Sequence, residues 1–200
     1  MVVVRIGVLA LQGDVDAHQE VLRTLGVEGV SVRTPSDLDS IDGLVLPGGE
    51  STTMSMLLDS SGLREPLTEW VSERRPTLGT CAGLVLLADR VTDGRDDQVS
   101  LGGLDITVQR NGYGRQKFSF EGDVAAPDLG EEFDGVFIRA PRILDVGASI
   151  EVLGRLSADG EIVIVQAGAI IGCAFHPELS GDPRLHARLV ACANAGNGPR

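Results

Sequence analysis

A short apolar run, Thr77-Leu78, leads into Gly79-Thr80-Cys81-Ala82-Gly83 and then into the helical-looking stretch Leu84-Val85-Leu86-Leu87-Ala88. A Gly-x-nucleophile-x-Gly pattern between a strand and a helix marks a nucleophile elbow, in which flanking glycines permit a tight turn with the nucleophile at its tip. The nucleophile is then Cys81, placed at a helix N-terminus whose free N–H groups and partial positive charge favour a thiolate. The plainer reading makes Cys81 a buried small apolar residue, as most free cysteines are. The glycine spacing, and the residues near the C-terminus considered below, weigh against it.

An elbow needs a strand before it and a helix after it, and the rest of the chain supplies that alternation. Val2 to Leu11 is a nearly continuous apolar run, as in a central strand covered on both faces. Asp14 follows Gln12-Gly13 as a candidate N-cap for a helix carrying Val15, Val21, Leu22 and Leu25, closed by Gly26. Short strands are predicted at Val30 to Arg33 and Ile41 to Leu46, the latter ending at Pro47-Gly48-Gly49-Glu50-Ser51-Thr52. Ligands of open parallel sheets gather at the carboxyl ends of strands, so this loop is a site candidate, with backbone N–H groups suited to an oxyanion. Thr52 to Leu58 and Leu63 to Arg74 look helical, with Leu67, Trp70 and Val71 on a core face, and Pro76 stops the second.

After Ala88 the alternation lapses. Asp93-Gly94-Arg95-Asp96-Asp97 reads as a charged loop, and Leu104, Ile106 and Val108 alternate with polar residues, a period that recurs at Phe118 and Phe120. Further strands are predicted at Phe133 to Ile138, Val152 to Leu156, Glu161 to Gln166 and Ile170 to Phe175, with Asp159-Gly160 as a hairpin signal. The closing helix is Pro183 to Ala193. The expected architecture is α/β, a three-layer sandwich whose mostly parallel central sheet is extended by antiparallel strands. It forms a single domain over 1–193, with 194–200 as a flexible tail.

Composition excludes several function classes. With 42% hydrophobic and 23% charged residues the chain reads as globular, and no apolar run approaches the length of a membrane span. A net charge of −12 and a single lysine, Lys117, argue against nucleic acid or an anionic membrane as partner. Met1-Val2-Val3-Val4-Arg5 lacks the pattern of a secretory signal, so a cytoplasmic location is expected. Three scattered cysteines make neither a disulfide framework nor a metal-binding pair, and Cys173 and Cys192 read as structural. No metal or cofactor is expected.

Of the three histidines, His18 and His186 fall in predicted helices, where solvated or packed roles are the default. His176 falls where the last strand ends and is followed by Pro177 and Glu178. In an extended segment residues two apart point the same way, so Glu178 can reach the imidazole that His176 turns toward Cys81. Nucleophile, base and orienting carboxylate then form a Cys-His-Glu triad.

Gly79-Thr80-Cys81-Ala82-Gly83 with His176-Pro177-Glu178 resembles the triad of class I glutamine amidotransferases, of flavodoxin-like fold. Leu11-Gln12-Gly13, Pro47 to Thr52, Arg110-Asn111 with Gly114-Arg115-Gln116, and Phe137-Ile138-Arg139-Ala140-Pro141 resemble the glutaminase subunits of pyridoxal 5′-phosphate synthases. The motifs run from the first strand to near the last helix, and Gly112-Tyr113 is a mild departure. The resemblance implies hydrolysis of L-glutamine to glutamate and ammonia through a thioester on Cys81. It implies oxyanion donors at Gly49 and Ala82, and substrate contacts at Gly49, Glu50, Ser51, Arg110, Ile138 and Arg139. It also implies delivery of ammonia to a (β/α)₈-barrel synthase in a large hetero-oligomer, with coupling at Gln12 and Gly13. Competing expectations are a cysteine hydrolase acting on another amide or ester, a binding subunit that has lost the chemistry, and a glutaminase feeding a different synthase.

Overall fold

Buried apolar tetrads and pentads set the parallel half of the main sheet: β1 (Arg5–Leu9), β2 (Glu28–Val32), β3 (Gly43–Leu46), β4 (Thr77–Thr80) and, late in the chain, β12 (Ile170–Cys173). Every residue of β3, β4 and β12 is buried, the pattern of strands covered on both faces. The computed structural model describes residues 4–94, 99–113, 119–130 and 132–196. The Gly114-Arg115-Gln116 motif, Lys117, Phe118, Arg95 to Asp97 of the charged loop, the first three residues and 197–200 lie outside them.

Between these strands run α1 (Val15–Thr24), α2 (Ser51–Ser60), α3 (Arg64–Ser72) and α4 (Ala82–Leu87). The second half adds β5 (Ala88–Val91), β6 (Leu104–Gln109), β7 (Ser119–Ala125), β8 (Phe133–Ile138), β9 (Arg142–Val146), β10 (Glu151–Leu156) and β11 (Ile162–Ala167). It closes with α5 (Pro177–Ser180) and α6 (Arg184–Gly196). The main sheet has nine strands in the order β2-β1-β3-β4-β12-β11-β10-β7-β8, and β5-β6-β9 form a small second sheet. Strands β2 to β12 of this order pair in parallel, and β12 to β8 in antiparallel. Helix α1 contacts α5 and α6, and α2 contacts α3 and α4. Both α4 and α6 pack on β3 and β4, so the sheet lies between two helical layers.

Local chemistry explains most boundaries. Asp14 caps α1 by accepting the Ala17 N–H at 3.0 Å. Trp70 is buried on α3 and donates its indole N–H to Thr77 Oγ1 at 3.1 Å, which ties the helix to the strand after Pro76. All six residues of α4 are buried, so this helix is apolar on every side and sits inside the fold. The chain turns straight from it into β5, with Ala88 already extended. β9 was not foreseen, because only Ile143 of its five residues is buried and the strand shows no alternation. The closing helix runs to Gly196, three residues past its expected end. Among the described residues no helix is long and apolar enough to cross a membrane.

Candidate active site

Four adjacent parallel strands, β1, β3, β4 and β12, release their loops at one edge of the sheet. In order these loops carry Gln12-Gly13, Gly48-Gly49-Glu50, Cys81 and His176, so residues remote in sequence become neighbours. A fifth segment arrives from an unexpected direction. β8 ends the hydrogen-bonded order, yet its Val136 carbonyl accepts the His176 N–H at 2.9 Å, and Ile138 O lies 3.7 Å from Cys81 Sγ. The antiparallel half therefore curls back over the edge and brings Ile138 and Arg139 to the loops.

Cys81 stands at the elbow between β4 and α4, with φ 49° and ψ −103°. The strain falls on the cysteine itself, which lies in a region that L-residues other than glycine rarely occupy. The elbow glycines have a different task from the turn flexibility expected of them. A Cβ on Gly83 would stand 2.0 Å from the Leu46 carbonyl oxygen, and one on Gly79 would stand 2.7 Å from the Gly83 backbone. They let the N-terminus of α4 press against β3 and β4. Ala82, as the first residue of α4, is among the amides that helix geometry leaves without an intrahelical acceptor.

The His176 imidazole faces Cys81 on one side, and its Nδ1 lies 2.7 Å from Glu178 Oε1 on the other. The reason for the second contact differs from the extended geometry inferred above. His176 is the N-cap of α5, Pro177 takes the first helical position, and Glu178 sits in the first turn. Burial lowers the His176 imidazole, but its interactions with the facing Cys81 and with Glu178 outweigh it and raise the group to about 10. Burial raises the Glu178 carboxyl, while the His176 hydrogen bond and the facing His18 and His176 hold it below the ordinary value. Gly48 is the floor under the imidazole, since a Cβ there would come within 2.2 Å of His176 Cε1.

A cavity of about 160 Å³ opens beside the sulfur. Gly49, Glu50, Ser51, Cys81, Ala82, Arg110 and Arg139 line it, and Val85, Asn111 and Pro141 complete the wall. Ile138 reaches the sulfur through its carbonyl, outside that lining. The Glu50 carboxylate caps α2 by accepting the Thr52 and Thr53 N–H groups at 3.1 and 2.7 Å. Burial raises Glu50, and the Thr53 and Thr52 hydrogen bonds override it to lower the group. Arg110 Nη1 lies 3.4 Å from Glu50 Oε1 and donates to Thr52 Oγ1. Arg139 holds a φ of 45°, a second non-glycine residue at positive φ on this wall. Gln12 meets the cavity loop from behind, its Oε1 accepting the Glu50 N–H at 3.3 Å. Gly13, with φ 99°, packs where a Cβ would stand 2.1 Å from the Gly48 carbonyl.

Cys173 on β12 is fully buried and donates to Phe175 O at 3.4 Å, and burial pushes its thiol up. Among the described residues no group of three or more His, Cys, Asp and Glu side chains is disposed to hold a metal ion. His18 and His186, for which the sequence suggests only solvated or packed roles, meet at 2.9 Å beside Glu178. Only the apolar stripe of their helices could have signalled this, since it places both on buried faces.

A strand–helix elbow bearing cysteine, at the carboxyl edge of a curled mixed sheet, defines a fold of the glutamine amidotransferase class. A solved structure described as glutamine amidotransferase superposes with a TM-score of 0.87 at 42% identity, covering 94% of this chain and 98% of that one. The chain belongs to the SNO glutamine amidotransferase family, which it matches over residues 8–193. It is 51% identical over 188 residues to the pyridoxal 5′-phosphate synthase subunit PdxT of Nocardioides sp., with 92% of this chain and 94% of that one covered. It is 49% identical over 191 residues to the PdxT of Mycobacteroides abscessus, covering 96% and 98%.

Proposed function

We propose that this chain is the glutaminase subunit of a pyridoxal 5′-phosphate synthase, hydrolysing L-glutamine through Cys81, His176 and Glu178. The observation that carries the proposal is His176 facing Cys81 and held at 2.7 Å by the buried Glu178, at the wall of a cavity lined by Cys81, Arg110 and Arg139. Cys81 sulfur, its proton taken by His176, attacks the side-chain carbonyl carbon of glutamine, and the carbonyl oxygen becomes an oxyanion. His176 passes a proton to the departing nitrogen, ammonia leaves, and a glutamyl thioester stays on Cys81. Water, deprotonated by His176, then attacks the thioester and releases glutamate and the free thiol. Glu178 orients the imidazole and stabilises its charged form, as a buried carboxylate does in such triads.

Gly49 and Ala82 serve as oxyanion donors from the loop after β3 and the first turn of α4, each worth about 3 kcal/mol in the transition state. Arg110 suits the substrate carboxylate through its planar fork, and Glu50, Ser51, Ile138 and Arg139 complete the recognition of the amino-acid end. The relatives are named as subunits of a pyridoxal 5′-phosphate synthase, which supports a synthase partner; on this reading that partner takes the ammonia. Gln12 and Gly13 are the coupling point, because they grip the loop holding Gly49 without lining the cavity themselves.

A glutamine-shaped diazoketone tests the site chemistry. It should add once, at Cys81, with protection by glutamine and no adduct in Cys81→Ala. Labelling spread over Cys192, or indifferent to glutamine, would contradict the assignment.

A further inference from the structure

Glu178 is backed by two histidines that the reaction described above does not use. His18, on α1, and His186, on α6, are each 0% exposed, and His18 Nδ1 lies 2.9 Å from His186 Nε2. The other side of His18 faces the site, with Nε2 at 3.5 Å from Glu178 Oε1 and 3.5 Å from Thr80 Oγ1. Two buried atoms in this group have no hydrogen-bond partner among the described residues: His186 Nδ1 and Glu178 Oε2.

These facts fix the tautomers. An unpaired buried N–H is rarer in proteins than an unpaired acceptor, so His186 Nδ1 is the bare nitrogen and the proton sits on Nε2. That N–H points at His18 Nδ1, which must accept. His18 therefore carries its own proton on Nε2, between Thr80 Oγ1 and Glu178 Oε1, each 3.5 Å away. Both rings stay neutral: burial lowers His18, and burial lowers His186 to about 3. The titratable groups facing this pair are Glu178, His176 and Asp14 around His18, and Glu178 and Asp182 around His186. Cys173 faces Glu178 from β12.

We propose that His18 is a positioning residue of the site, with His186 fixing its tautomer, so that a neutral pair of imidazoles presents an N–H to Glu178 and keeps that carboxylate charged and aimed at His176. Aligned N–H dipoles stabilise a buried anion without adding a buried cation. The anion in turn stabilises the imidazolium that His176 forms in each proton transfer. The arrangement also joins α6 and α1 to the triad, and α1 is the helix whose leading loop bears Gln12 and Gly13. The inference rests on the Cys81-His176-Glu178 reading above.

The test is a pH titration of the full chain with ¹⁵N-labelled histidine, which holds three imidazoles in all. Wild-type protein should show His18 and His186 as neutral Nε2–H tautomers and His176 titrating well above the free imidazole. In His18→Leu the His176 midpoint should fall by about one pH unit, the order of shift expected when the carboxylate that holds the imidazolium loses the N–H dipole beside it. His18→Gln, which restores an N–H donor near the Nε2 position, should recover most of it. A purely structural role would change the melting temperature and leave the midpoint in place. If His18→Leu does not fold, His186→Leu should give a smaller fall in the same direction, and no fall there overturns the proposal. A raised wild-type midpoint that survives in folded His18→Leu overturns the relay alone. A wild-type His176 that titrates as a free imidazole overturns the triad reading and the relay with it.

Discussion

The side-chain oxygen of Gln12 accepts the backbone N–H of Glu50 at 3.3 Å, tying the loop after β1 to the loop that carries Gly49. A partner that moves Gln12 thereby moves the backbone beside the sulfur. Gln12→Ala should lower synthase-stimulated glutamate release by about tenfold, the rate equivalent of one hydrogen bond, with an unchanged melting temperature. Unchanged turnover in the presence of the synthase would remove Gln12 from the coupling.

Two glycines that look alike in sequence should fail in different ways. A Cβ at position 48 strikes the His176 ring at 2.2 Å, so Gly48→Ala should cut kcat/KM by about 100-fold or more through a displaced imidazole, with little loss of stability. A Cβ at position 83 meets the Leu46 backbone oxygen at 2.0 Å, which no side chain can yield to. Gly83→Ala should therefore cost about 3 kcal/mol in urea unfolding.

Arg110 reaches both Glu50 and Thr52 at the cavity wall. Arg110→Ala should raise KM for glutamine by about tenfold or more with a smaller effect on kcat, and Arg110→Lys should recover little, because a point charge lacks the bidentate fork. Equal effects on both parameters in steady-state kinetics would place Arg110 in the transition state instead.

Stability should peak near pH 6.5, the ordinary imidazole value. On the alkaline side, His176 is raised to about 10, so its contribution is complete below 6.5 and is lost as pH climbs through 10. On the acid side, His186 stays neutral in the fold to about 3 while the unfolded chain binds a proton near 6.5, so stability falls as pH drops below 6.5. His18, lowered by burial, acts in the same direction, and the lowered Glu178 adds loss further down. Urea midpoints against pH check this, and His186→Gln should flatten the acid limb.

Much of the site was legible because it rests on local pattern. The Gly-x-Cys-x-Gly spacing located the elbow, and the loops after β1, β3 and β12 were placed by apolar runs that end in Gly or Pro. What escaped depends on contacts far apart in the chain. His18 and His186 are separated by 168 residues, and nothing in either helix's own sequence announces the other. The curl that carries Ile138 to Cys81 arises from the accumulated twist of the antiparallel strands, which no single strand encodes. The positive φ of Cys81 is likewise imposed by packing of α4 on β3, and its sequence neighbours suggest only a turn.

Glutamate release from glutamine by the purified chain, measured alone and with the synthase barrel, tests the central claim most directly. The account predicts strong release that requires the partner and vanishes in Cys81→Ala. Release from the folded Cys81→Ala chain, or none from wild type with a competent synthase present, would contradict it.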